Sequence, residues 1–140
     1  MATPVGLEGE LYYGTAGTTA ASELTAVRDV TLDMSASVAD INSRASATWK
    51  AEKVAQLQAT LTFEILNKVG DAGVIAIKNA FLAKGAIALY ALDIAAVSGG
   101  EGLNADWNIT NFSRSEPLVD SDKYSVTATI NNELREPVWE

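Results

Sequence analysis

Ala55-Gln56-Leu57-Gln58-Ala59-Thr60-Leu61-Thr62-Phe63-Glu64-Ile65 is the stretch that decides the fold. Apolar and polar residues alternate along it without a break. A period of two is a β-strand with one dry and one wet face. Ala55, Leu57, Ala59, Leu61, Phe63 and Ile65 share the dry side, and Gln56, Gln58, Thr60, Thr62 and Glu64 the wet side. The run is longer than the usual strand of about five or six residues. Its wet face carries amides and hydroxyls in place of the lysines and glutamates of an ordinary solvated sheet. Such a face suits a surface past which something slides; the alternative is a plain solvent face.

Working outward, Leu7–Tyr13 reads as a short strand ended by Gly14 and a small-residue loop. Val27–Met34 alternates, with Asp29, Thr31 and Asp33 on its polar side. Ser35–Ser37 reads as a turn or bulge, and Val38–Arg44 as a continuation or a returning strand. Ala45–Glu52 is a loop that holds Trp49. After the long strand the period changes. Asp71 is a helix N-cap, Val74, Ile77, Ala80 and Phe81 form an apolar stripe, and Gly85 stands at the C′ position. Ala86–Ile94 is apolar on both sides and reads as a covered strand. Ser98–Gly102 is a turn, Leu103–Thr110 alternates, Ser113–Asp122 is a polar loop, and Tyr124–Ile130 alternates again. The fold class is mainly β: a small barrel or sandwich of about seven strands with one flanking α-helix. One domain spans 1–140, with residues 1–6 as an N-terminal arm and 131–140 as a C-terminal tail.

Composition narrows the chemistry. The chain has 140 residues, is 48% hydrophobic and 20% charged, and carries a net charge of −8. That apolar share builds a core. The acidity argues against adhesion to nucleic acid through phosphates, which needs clustered Lys and Arg. Cysteine and histidine are absent, which removes thiolate and most zinc sites, the serine triad and the commonest general base. No catalytic residue, metal site or cofactor is expected. Ser98-Gly99-Gly100-Glu101-Gly102 lacks the spacing and lysine of a phosphate loop, and Asp120-Ser121-Asp122 lacks the later glutamate of a calcium loop. Met1–Gly6 has neither a basic region nor a long apolar run, so it reads as an arm and not a signal peptide. The apolar stretch Gly85–Val97 is interrupted by Asp93 and too short for a bilayer.

Three stretches resemble the tail tube (major tail) proteins of tailed phages. They are Val27-Arg28-Asp29-Val30-Thr31-Leu32-Asp33-Met34-Ser35 with Val38-Ala39-Asp40-Ile41-Asn42-Ser43-Arg44, Ala47-Thr48-Trp49-Lys50 running into the long strand, and Asp122-Lys123-Tyr124-Ser125-Val126-Thr127-Ala128-Thr129 near Pro137-Val138-Trp139. Members often carry a Leu-Pro-Gly-Leu-like turn before the long strand, where this chain has Glu52-Lys53-Val54-Ala55-Gln56-Leu57. The resemblance implies a β-barrel-like core flanked by a helix. It also implies self-assembly into rings, usually of six, stacked into a tube through which DNA leaves the capsid. The partners it implies are copies of the same chain and other tail proteins, in the virion, after synthesis in the bacterial host cytoplasm. No membrane or small-molecule partner is implied. The inner tube of a contractile injection system is a close alternative, and a β-sandwich binding or adhesion module a more distant one.

Under that resemblance, Gln56, Gln58, Thr60, Thr62, Glu64, Asp29, Thr31 and Asp33 are the lumen candidates. A conduit for DNA must not hold it, and like charges a few ångströms apart in water repel by roughly 1 kcal/mol. Asn42, Arg44, Trp49, Lys50 and Trp139 are the candidates for contact between subunits. Large aromatics anchor interfaces. For Trp49 and Trp139 the other reading is a ring laid over the domain's own core.

Overall fold

The alternating run forms one continuous strand, β4 (Glu52–Leu66), whose antiparallel partner β3 covers Val27–Asp40. The computed structural model describes residues 10–25, 27–42, 44, 49–67, 70–93, 100–119 and 122–140; the expected N-terminal arm, 1–6, lies outside them. The other elements are β1 (Glu10–Thr15), β2 (Ser22–Glu23), α1 (Ala72–Leu82), β5 (Ala86–Leu92), β6 (Leu103–Ser115), β7 (Lys123–Asn131) and β8 (Val138–Trp139). They form one antiparallel sheet in the order β2-β1-β5-β6-β7-β4-β3, with β8 beside β6. The strand path does not close on itself. The mainly β architecture with one helix is the expected one.

One reading is narrowed and one expectation changes. Of turn or bulge at Ser35–Ser37, the turn falls away. Ser35 stands opposite Gln58 and Ser37 opposite Gln56, and the irregularity falls between Ser37 and Val38. Val38 continues β3 because β4 is long enough to pair with all of it, and cross-strand pairing outweighs the local turn preference of serine. Likewise β6 runs through Asn111 and Ser113 to Ser115, because β7 pairs with it around a bulge between Ile109 and Asn111.

The core sits on the dry side of the sheet. Leu61, Phe63 and Ile65 of β4 meet Trp107 of β6, Leu89 of β5, Val126 of β7 and Leu11 of β1, all fully buried. Trp107 donates its Nε1–H to the Leu89 carbonyl at 3.2 Å, so the indole is buried with its polar atom satisfied. Helix α1 contributes Val74 and Ile77. Asp71 caps it, accepting from the Gly73 N–H at 3.1 Å. Its other end corrects the sequence reading. The left-handed C′ residue is Lys84, at φ 57, and Gly85 follows it. Gly85 N–H donates to the Ala80 carbonyl and Lys84 N–H to that of Phe81, the paired bonds of a Schellman ending.

The start of β6 is buried on both sides. Alternation puts Asn104 and Asp106 on the wet face, yet both are buried, because the segment after β7 folds across them. Arg135 holds Asp106 at 2.8 Å, and the Gly17 N–H donates to the other carboxylate oxygen at 2.8 Å. Glu140 exchanges backbone hydrogen bonds with Gly102 at 2.7 and 2.9 Å, and its carbonyl accepts from the Tyr90 hydroxyl. Burial, then the carboxylates of Glu140, Asp93 and Glu101, raise the pKa of that hydroxyl and keep it a donor. At Gly102 a Cβ would lie 1.5 Å from the Ala91 carbonyl oxygen, so this position admits no side chain.

Removing one partner of a buried ion pair leaves an uncompensated charge and costs about 3–5 kcal/mol. Arg135→Ala is therefore expected to destabilise the domain by about 3 kcal/mol in urea unfolding, whereas the exposed Arg44→Ala changes it by less than about 0.5 kcal/mol. Lys84→Gly is expected to raise stability by about 0.5–1 kcal/mol in the same assay, because glycine enters the left-handed region without strain.

Candidate functional site: a polar sheet face and an apolar arm

Register decides which polar residues share a surface. On β3 and β4, Thr31 stands opposite Thr62, Asp33 opposite Thr60, Ser35 opposite Gln58 and Ser37 opposite Gln56. The face continues onto β7, where Thr60 is opposite Thr129, Thr62 opposite Thr127 and Glu64 opposite Ser125. From there it reaches Asn108, Asn111 and Ser113 of β6. Seven of the eight lumen candidates, Gln56, Gln58, Thr60, Thr62, Glu64, Thr31 and Asp33, thus fall on one surface. Ser35, Ser37, Thr127, Thr129 and Asn108 belong to it too. Sequence reading missed them because alternation gives each strand two faces without saying which faces coincide across strands.

Asp29 does not join them. It lies in the bulge between Arg28 and Thr31 at φ 52, and lines a cavity of about 720 Å³ that also involves Glu10, Leu92 and Trp139. A bulged residue drops out of the alternation that would have aimed it.

The surface carries little net charge. Glu64 lies 3.6 Å from Lys123 and stands opposite Arg28, leaving Asp33 as its main isolated carboxylate. Among the described residues there is no group of three or more acidic side chains placed to hold a metal ion, and no helix is long and apolar enough to cross a membrane.

Beyond Ala59 the β3–β4 hairpin leaves the core and becomes an arm. Every residue from Asp33 to Asp40 and from Glu52 to Gln58 is exposed. Its tip is tied by Asn42, whose Oδ1 accepts from the Ala51 N–H and whose own N–H donates to Asp40, and by the Lys50–Glu52 ion pair. Asn42 and Lys50 therefore have partners within the tip; Arg44 is exposed. Trp49 is 85% exposed, so it does not lie over the domain's own core. Trp139 is half exposed in β8, whose backbone pairs with Leu103 and Asn104 of the same chain.

The whole arrangement matches structures already solved. The tail of an empty GTA particle, refined with helical and C6 symmetry, superposes with a TM-score of 0.78 at 12% identity over 99% of both chains. The fold is that of a tail tube subunit. The SPP1 tail tube protein superposes on this tail-tube fold with a TM-score of 0.75 at 11% identity, covering 99% of this chain and 79% of that one. A chain of the native gene transfer agent virion gives 0.72 at 9% identity over 99% of both. No protein-family model matches the chain, and no curated protein matches it by sequence.

Because its ring touches solvent rather than core, Trp49→Ala is expected to leave the thermal transition of the monomer within about 2 °C. A fall of about 8 °C or more would assign the indole a structural role.

Proposed function

We propose that this chain is the repeating subunit of a phage-type tail tube. In this reading it is a virion protein that self-assembles into rings, six to a ring, which stack into a hollow conduit and join other tail components. DNA passes along the conduit without being held. The supporting observation is the superposition on a tail of C6 symmetry over 99% of both chains. The polar face of β6, β7, β4 and β3 supplies a chemically suitable wall. Its hydroxyls and amides are neutral, and its best-placed cation, Lys123, is engaged by Glu64. Phosphates find few fixed positive charges there, and phosphate contacts are what make binding to nucleic acid tight and salt-sensitive. A structural role of this kind needs no catalytic group, and the channel reading assigns none.

Electron microscopy of the purified protein across a concentration series tests the assembly directly. Rings or hollow tubes of uniform diameter are expected; a monomer that persists at every concentration overturns the proposal. The wall assignment has its own test. Gln56→Lys, Gln58→Lys and Thr60→Lys together are expected to leave folding and tube formation intact while slowing genome delivery. Each added lysine contributes about one phosphate contact, so raised ionic strength should relieve the defect. Unchanged delivery would remove this face from the lumen.

A further inference from the structure

The dry side of the arm needs a cover that the described residues of its own domain do not provide. β4 has 15 residues and α1 has 11, so at roughly 3.3 Å and 1.5 Å per residue they span about 50 Å and about 16 Å. Burial of β4 begins at Ala59 and persists only to Ile65. Beyond it, Met34, Val38, Val54 and Leu57 stand at 53, 54, 56 and 78% exposure. Ala36 faces Leu57, and Val38 faces Val54, so the apolar groups form one stripe. A two-stranded ribbon by itself is marginal in water.

The same molecule carries a fitting surface elsewhere. Ile75 and Leu82 lie seven residues apart on the outer side of α1, both exposed. Beside Leu82 is a groove of about 450 Å³ lined by Phe81, Lys84, Gly85, Asn108 and Ile109. Charge does not oppose the contact. Asp33 lies on the polar face and Glu52 is paired with Lys50, which leaves Asp40 as the acidic group on the dry side, while Ala72–Lys84 holds Lys78 and Lys84 and no carboxylate.

We propose that the dry side of the β3–β4 arm seats on the outer face of α1 and the adjoining Phe81–Ile109 groove of a second copy of this chain. The inference deepens the tube-subunit reading and rests on it. Two different patches meet, so the contact is heterologous and propagates from copy to copy instead of closing as a pair. Its size matters as well. An arm about 25 Å long and 10 Å wide buries about 500 Å² counting both partners, well under the ~1,200 Å² of a stable pair. A single seat does not hold a dimer, whereas a closed set of them holds a ring.

The chain has no cysteine, so introduced thiols report cleanly. The double variant Leu57→Cys/Leu82→Cys, assembled and treated with a short bismaleimide, is expected to give a ladder of cross-linked multimers, and each single variant none. Leu57→Asp is expected to raise the concentration at which assembly starts about tenfold or more, with an unchanged melting curve of the monomer. A dimer from Leu57→Cys alone would mean arm packing on arm and would overturn the heterologous seat. Tubes that form without the ladder, and with Leu57→Asp assembling like the wild type, would overturn the seat while leaving the tube reading intact. Absence of any assembly at every concentration would take both down.

Discussion

An apolar strand face about 50 Å long meets a core that covers less than half of it, and most of the structure follows from that mismatch. Leu61, Phe63 and Ile65 are buried at the base of β4, and their burial fixes which side of the strand is dry. The side-chain period in a strand is two, so a slip of one residue would turn every hydroxyl of the polar face inward. Packing at the base therefore sets the orientation of the arm, whose dry side none of the described residues covers. One burial event yields two opposite surfaces, a smooth polar face and a bare apolar one.

Charge refines how the polar face behaves. An acidic chain suggests a wall that works by repelling phosphate. Glu64, however, is offset by Lys123, Asp29 is diverted into a bulge, and Asp106 is buried against Arg135. What remains is mostly threonine, serine, glutamine and asparagine. In the proposed tube, such a face avoids adhesion through neutrality more than through repulsion, and neutrality is insensitive to ionic strength.

Much of this was legible in the sequence, and the remainder fails for identifiable reasons. The alternation in β4 and in β7, the apolar stripe of α1 and its Asp71 cap are local patterns, and they appear where the residues put them. The polar face extends across four strands, and its membership depends on pairings between residues far apart in the chain. Alternation could not show that Ser35 faces Gln58 or that Thr129 joins Thr60. Asn104 and Asp106 looked wet because their covers, Val138 and Glu140 for the first and Arg135 for the second, come about thirty positions later. Lys84 occupies the left-handed position that Gly85 seemed to claim, since the helix ends one residue earlier than glycine placement suggests. Trp49 left two readings open in sequence, and only its exposure in the folded domain separates them.

Asp106 also imposes an order on synthesis. Its carboxylate is enclosed between the Gly17 turn and the Arg135 guanidinium, and Gly102 is paired with Glu140. A nascent chain still tethered to the ribosome before residue 135 lacks the counter-charge for a site it must bury. The domain thus closes over Asp106 only once Arg135 has been made; in the proposed tube, that coupling keeps half-made copies from joining a growing polymer.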